Sequence, residues 1–222
     1  MKRSAAFLWM LLPALLLAQN PAQHRTREEI EKLHQDSKAY ISMLENPERL
    51  AEQKPDEVIK VLGIKPGETI ADIGAGSGYF SFRLSPHVGD SGRIYAVDIN
   101  HEMILYMNRR IRDLKLKNVV TLLSAPDDPL LPDNSIDRFF ICNTWHHIEN
   151  RTQYLTLMKR MLKPGGQIIM IDYRKKELPV GPPLEMKIAR EDLVRQMESN
   201  GFKLASEHDF LQYQYFLVFT KR

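Results

Sequence analysis

The stretch at 71–80, ADIGAGSGYF, sets Gly74, Gly76 and Gly78 at alternate positions directly behind an apolar run that ends in Asp72 and Ile73. Residues without a Cβ let the chain turn sharply and let a ligand approach the backbone. Where such a turn opens a helix, the first amide groups offer donors to a carboxylate or a phosphate. The spacing here is G-x-G-x-G, not the G-x-G-x-x-G of dinucleotide sites. Asp72 stands two residues before Gly74, where it would repel a pyrophosphate but suits an ammonium. A ligand carrying an ammonium, a carboxylate and a sulfonium meets these demands, which points to S-adenosylmethionine. Asp98 in IYAVDIN lies twenty residues past Gly78, placed to accept hydrogen bonds from both ribose hydroxyls. Dinucleotide enzymes use an acid there too, and a helix N-cap is its plain structural use.

A second set of chemistry-bearing residues sits in NTWHHI. His146 and His147 follow Asn143 and titrate near neutrality, which suits removal of a proton from a hydroxyl, a thiol or an activated carbon. His147 is the preferred candidate of the two, with packing as the competing role for either. Asp172, Tyr173 and Arg174 leave the next strand toward the same crevice, and Tyr79 stands where it would close over a ligand or pack. Tyr40, Met43 and Arg49 are placed to roof the pocket or to dock a helix on the sheet. The proline-rich run at 175–188, KKELPVGPPLEMKI, is a candidate lid or a plain connector. Met103, Tyr106 and Met107 read as core. His24, His34, His87 and His101 show no ligand spacing and receive no role.

These residues need a scaffold, and strand and helix patterns alternate to supply it. Strands are expected at 69–73, 93–99, 118–123, 136–142 and 167–173, with helices near 78–85, 101–115, 151–162 and 190–200. Near-continuous apolar runs such as IIMI fit strands covered on both faces, and the alternation argues for a doubly wound α/β architecture around a mostly parallel sheet. Residues 201–220 read as two strands joined by a short polar connection, hence antiparallel to each other. Residues 24–44 read as one charged helix, and PDEVIKVLG has proline at a helix start and glycine at its end.

The N-terminus has a different character. Lys2 and Arg3 precede an apolar stretch at 5–17, and polar residues follow Ala18, the layout of a secretory signal. The expected organisation is therefore a signal peptide or anchor at 1–18, a helical cap at 19–54 and the main domain at 55–222. Export to the periplasm or beyond follows, with anchoring to the inner membrane by 5–17 as the alternative. No Cys follows the apolar stretch, which disfavours a lipid anchor. Membrane contact is expected only through that segment.

Composition excludes other classes. The 222 residues are 43% hydrophobic and 27% charged, with a formal charge of +3 that falls to +1 without Lys2 and Arg3. That balance gives no concentrated basic face for nucleic acid. A single Cys, Cys142, closes no intramolecular disulfide, and no zinc-ligand spacing or other metal site is present.

The motifs ADIGAGSGYF, YAVDIN, SAPDDPLLPDNSIDRFF, NTWHHI and MLKPGGQIIMIDY, in this order and spacing over about 45–220, resemble the class I S-adenosylmethionine-dependent methyltransferase family, and more narrowly a bacterial subgroup with a signal-like N-terminus. The resemblance implies a Rossmann-like seven-stranded sheet with an antiparallel last strand. It implies that Asp72, Gly74, Ala75, Gly76 and Gly78 hold the methionyl part, Asp98 the ribose and Ile99 the adenine face. Asp127 or Asp128 would reach the adenine amino group, although Ser124 and Ala125 depart from the family's commoner pattern there. Asn143 would lie below the sulfonium. The implied activity is methyl transfer to a small molecule. A dinucleotide oxidoreductase, an aminopropyl transferase and a non-catalytic binder of S-adenosylmethionine are the rival readings, of which glycine spacing disfavours the first and lack of a polyamine-binding acidic patch the second.

Overall fold

The computed structural model describes residues 26–222; the signal-like segment expected at 1–18 lies outside them. The chain enters through a helical cap. Helix α1 (Arg27–Gln35) starts with a capping box in which the Thr26 side chain accepts from the Glu29 amide and Glu29 reaches back to Thr26, satisfying two otherwise open amides. The single helix expected over 24–44 is in fact two. Asp36, at φ −90° and ψ 85°, ends α1 and caps α2 (Ser37–Leu44) by accepting from the Ala39 amide. A short acid that bonds its own backbone competes with helix continuation, which is why the break falls there. Helix α3 (Arg49–Gln53) follows, then α4 (Pro55–Leu62), with Pro55 in its first turn and Gly63 in the left-handed region at its end.

Strand β1 (Thr69–Ile73) opens the sheet and is followed by α5 (Ser81–Val88), β2 (Arg93–Asp98), α6 (His101–Asp113), β3 (Val119–Leu123), β4 (Ile136–Cys142) and α7 (Arg151–Met161). Then come β5 (Leu162–Tyr173), α8 (Arg190–Ser199), β6 (Phe202–His208) and β7 (Gln214–Lys221). Among the described residues these seven strands form one sheet in the order β3-β2-β1-β4-β5-β7-β6. The first five run parallel, and β7 lies antiparallel to both β5 and β6. The doubly wound sheet with a reversed terminal hairpin is thus as expected from the pattern.

The starts of α5 and β5 moved furthest. Helix α5 begins at Ser81 instead of 78, because Gly74, Gly76 and Gly78 all hold positive φ and keep the chain out of the helical region. Strand β5 begins at Leu162 instead of 167: Leu162 pairs with Ile136, and the ladder then shifts register before Arg138 meets Gln167. The residues between, Lys163 to Gly166, are extended without matching the apolar pattern by which a strand is recognised.

Alternation along the central strands divides the core into two layers. On β4, Phe139 and Ile141 join the layer under α7 and α8, while Phe140 joins the one under α4 and α5. Ile168 and Met170 oppose Ile169 and Ile171 on β5, and Tyr215, Leu217 and Phe219 oppose Phe216 and Val218 on β7. Burying each such side chain stabilises the fold by roughly 1.5–3 kcal/mol. Met103 and Met107 are fully buried, as their helical spacing predicted. No helix among the described residues is long and apolar enough to cross a membrane.

Candidate functional site

A cavity of about 450 Å³ opens beyond the carboxyl ends of β1, β4 and β5, roofed by α1, α2 and α3. In a doubly wound sheet this is the crevice where ligands are held. Its two walls are built differently.

The first wall is the turn after β1. At Gly74, φ +69°, a Cβ would collide with the Thr144 side chain, and at Gly76, φ +57°, a Cβ would lie 2.8 Å from Leu44 Cδ1. The backbone angle favours glycine at both positions, and at Gly74 the approach of Thr144 adds to it. Asp72, 3% exposed, lines the cavity and accepts a 2.6 Å hydrogen bond from Ser81 Oγ. Burial raises its pKa to about 7, opposed by the Ser81 hydroxyl and assisted by the nearby Asp98 charge. Ala75, Gly76 and Ser77 complete this wall, and the buried Ser77 hydroxyl has no hydrogen-bond partner among the described residues.

Asp98 ties the neighbouring strand end to the same turn. Its Oδ2 accepts from the Gly76 amide at 2.8 Å and its Oδ1 from the Asn100 amide at 2.9 Å, and burial raises its pKa. The cap of α6 is Asn100, whose side chain accepts from the Glu102 amide, so Asp98 is not the N-cap. Each carboxylate oxygen retains a lone pair for another donor. Next to it Ile99 is 61% exposed, and Leu123, on the strand end paired with Asp98, is 46% exposed.

The second wall comes from the ends of β4 and β5. Asn143 sits in the left-handed region at φ +54°. Its Nδ2 donates to Gln53 Oε1 at 3.3 Å, while its buried Oδ1 has no partner among the described residues. His146 and His147 lie on a 3-10 turn (Trp145–His147). His146 Nδ1 is 2.8 Å from Asp172 Oδ1 and 3.0 Å from Oδ2. His147 packs on His146 with ring centroids 4.1 Å apart. Burial, then the positive potential of His146 and His34, pushes its pKa down to about 3, so His147 is neutral at physiological pH. Among the described residues Asp172 alone favours the charged form of His147, and that carboxylate is hydrogen-bonded to His146.

Other expected residues separate into those brought together and those left outside. Tyr40, Met43, Arg49, Tyr79 and Tyr173 all line the cavity, as do Val180, Gly181 and Pro182 of the proline-rich run. Tyr79 is buried between two guanidinium groups, Arg49 at 4.4 Å and Arg83 at 3.9 Å from the ring centroid, an arrangement that holds the ring by cation–π attraction. Gly78, Asp98, Ile99 and Asp127 are not in the cavity wall. Asp127 is exposed and accepts from Gln153 Nε2 at 3.3 Å, while Asp128 accepts from the Leu130 amide at 2.7 Å.

Three contributors had no signal in the sequence. His34, on α1, lies 5.1 Å from the His147 ring and has its own pKa lowered by burial and by His146. Glu52 Oε1 accepts from Tyr173 Oη at 2.6 Å, Gln53 Nε2 at 2.8 Å and Gln214 Nε2 at 2.9 Å. Gln53, buried, also receives Cys142 Sγ at 3.4 Å. Together these bonds fasten α3 to the carboxyl edge of the sheet, so the cap is part of the site. An acid and an amide in a charged helical segment look like solvated surface until the partner strands are in place.

A family model described as a methyltransferase domain matches residues 64–214. The ubiquinone/menaquinone biosynthesis C-methyltransferase UbiE of Shewanella sp. (strain W3-18-1) is 31% identical over 120 residues, covering 54% of this chain and 48% of that protein. The chain thus spans about half the length of the curated relatives it matches. A SAM dependent methyltransferase from Aquifex aeolicus superposes with a TM-score of 0.78 at 31% identity, over 84% of this chain and 97% of that one. The fold also matches geranyl diphosphate C-methyltransferase from Streptomyces coelicolor A3(2), solved with S-adenosyl-L-homocysteine, with a TM-score of 0.63 at 14% identity over 83% and 84% of the two chains. With a bare-backbone turn, a buried acid behind it and a second acid on the next strand end, the chain belongs to the class I S-adenosylmethionine-dependent methyltransferase family.

Proposed function

We propose that the protein transfers a methyl group from S-adenosylmethionine to a small organic acceptor. The observation that carries this reading is the single cavity in which the glycine turn, with Asp72 behind it, faces a wall of imidazole and apolar side chains. The residues fit the donor: the turn of Gly74 and Gly76, held at positive φ, lies in the cavity wall with its backbone bare of side chains. Asn143 Oδ1 and Ser77 Oγ are buried polar atoms in need of partners, and Asp72 offers negative charge to an ammonium. Ile99 and Leu123 form an apolar ledge at the ends of β2 and β3 that suits a flat base, with Asp98 between the ledge and the turn. When bound, the donor supplies an already activated methyl group. The protein's work is then to align the acceptor, to exclude water and to accept a proton where one is released.

The cap excludes water. Leu33, Met43 and Leu44 line the cavity from the cap, Leu44 against Gly76, and the Glu52 cluster fastens α3 to the sheet. Isothermal calorimetry checks the donor: S-adenosylmethionine and S-adenosylhomocysteine bind, and NAD does not. A donor labelled in its methyl group then loses that label to an acceptor fraction. Binding with no label ever transferred would leave a non-catalytic binder, and NAD binding would restore the oxidoreductase. The layout of residues 2–18 supports a location outside the cytosol, and alkaline phosphatase fused after Arg222 is expected to be active.

A further inference from the structure

The pairing of His146 with Asp172 has more structure than packing needs. Both side chains are 3% exposed, yet His146 borders the cavity. Asp172 is held by its neighbours: Oδ1 accepts from the Tyr173 amide at 2.8 Å and Oδ2 from the His146 amide at 3.3 Å. Its carboxylate therefore cannot swing away from the ring. The histidine turn is fixed from the other side by Arg151, which donates to the Trp145 and His146 carbonyls at 3.2 and 3.3 Å. A carboxylate accepts only, so Nδ1 carries the hydrogen and Nε2 of the neutral ring keeps its lone pair.

We propose that His146 takes the proton of the acceptor, that Asp172 is its positioning residue, and that the acceptor is an uncharged, largely apolar molecule bearing a weakly acidic hydroxyl of the phenol class. The proposal rests on the methyl-transfer reading above and goes beyond it in naming the base, its partner and the acceptor chemistry. The acceptor O–H bond breaks, its proton passes to Nε2, and the oxygen uses its electron pair to bond the methyl carbon. The pair of the former carbon–sulfur bond stays on the sulfur of the departing S-adenosylhomocysteine. The new imidazolium is balanced by Asp172 and later returns its proton to water.

The groups facing His146 make it the base of this cluster. His147 from the same turn packs on His146 and His34 from α1 packs on His147, Arg151 from α7 binds the turn carbonyls, Tyr215 from β7 lies close enough to feel Asp172, and among the described residues Asp172 from β5 is the acid that touches the imidazole. The acceptor class follows from the rest of the wall. Ile30, Leu33, Val180 and Pro182 are apolar. An ammonium acceptor would need an acid to hold it: Asp172 and Glu52 are engaged by His146 and by Tyr173, Gln53 and Gln214, Asp72 belongs to the glycine-turn wall, and Glu48, the remaining acid of the lining, is exposed to solvent. A thioether acceptor would have no proton for His146 to take.

The test uses the full chain, labelled S-adenosylmethionine and two probes: phenol, and 4-nitrophenol, which ionises unaided at pH 8. With phenol, D172N and H146Q are expected to lose about 10²–10⁴-fold in kcat/KM, and the double variant to lose no more than the worse single one. With 4-nitrophenol at pH 8 the loss shrinks to within about tenfold, because no base is required. A readout apart from turnover is the imidazole ¹⁵N spectrum of the S-adenosylhomocysteine complex, where His146 is the Nδ1–H tautomer in the wild type and changes tautomer in D172N. Equal losses on both phenols, an unchanged tautomer, or no methylation of either phenol by protein that binds the donor would overturn the proposal. Failure of the wild type to bind S-adenosylmethionine would instead overturn the reading on which it rests. H146Q leaves the Asp172 carboxylate and its backbone donors in place and carries the test alone if D172N does not fold.

Discussion

The two walls of one cavity are assembled on opposite principles. The glycine turn is local: Asp72, Gly74, Gly76 and Ser81 lie within ten residues, and only Asp98 is borrowed from the neighbouring strand. The imidazole wall is composite, with His34 from α1, His146 from the end of β4, Asp172 from β5 and Glu52 from α3. Chemistry done with backbone must be encoded where the backbone turns. Chemistry done with side chains can be recruited from anywhere the fold brings together.

If that division holds, damage to the glycine turn falls on donor binding, and damage to the His34, His146, Asp172 and Glu52 set spares it. Gly74→Val is expected to have the largest effect. A β-branched residue at φ +69°, with Thr144 already at the place of its Cβ, costs on the order of 3 kcal/mol or more. Thermal melting should fall by roughly 6–12 °C, and donor affinity measured by calorimetry should fall more than about 100-fold. Glu52→Ala comes next, leaving Tyr173, Gln53 and Gln214 without their shared acceptor. A loss of about 2–3 kcal/mol in denaturant unfolding is expected, with Glu52→Gln recovering part of it and donor affinity within about threefold of wild type. A collapse of donor affinity in Glu52→Ala would break the comparison.

Asp72 sharpens it through pH. Its carboxyl is raised from 3.8 to about 7 in the folded protein, chiefly by burial, so the folded state holds a proton that the unfolded state has released. The associated stability is present below pH 4 and is lost as pH rises through 7. Asp72→Asn should remove that slope and raise unfolding free energy at pH 8 by an amount on the order of 1–3 kcal/mol, while weakening the donor. Donor binding at pH 7 should release a proton, because a cation beside Asp72 favours its ionised form, and calorimetry in buffers of different ionisation enthalpy reads this directly. The smallest effect is expected from His34→Phe, which keeps a ring against His147: donor affinity within about twofold and melting within about 2 °C.

Legibility in the sequence followed the same line. Strands β1 and β4 begin and end where their apolar runs do, and the reversed hairpin was visible because a short polar connection forces antiparallel pairing. The break at Asp36 was missed because helix periodicity continues across it, and Lys163 to Gly166 were missed because extended backbone at a sheet margin needs no apolar pattern. At the site, Asp72, Gly74, Gly76, Asn143 and His146 do meet in one cavity. Asp127 and Ile99 stand apart from it, and which of His146 and His147 meets Asp172 is visible only in the structure.

From its sequence alone, this protein's layered α/β scaffold, its glycine turn and the acids beside that turn were determined, since alternation, turn chemistry and backbone exposure act over a few neighbouring residues. The pairing of His146 with Asp172, the arrival of His34 beside His147 and the fastening of the cap by Glu52 were decided only by tertiary structure. Those contacts join residues 26, 113 and 121 positions apart, and no local pattern specifies which side chains meet when a sheet brings its strand ends together under a helical roof.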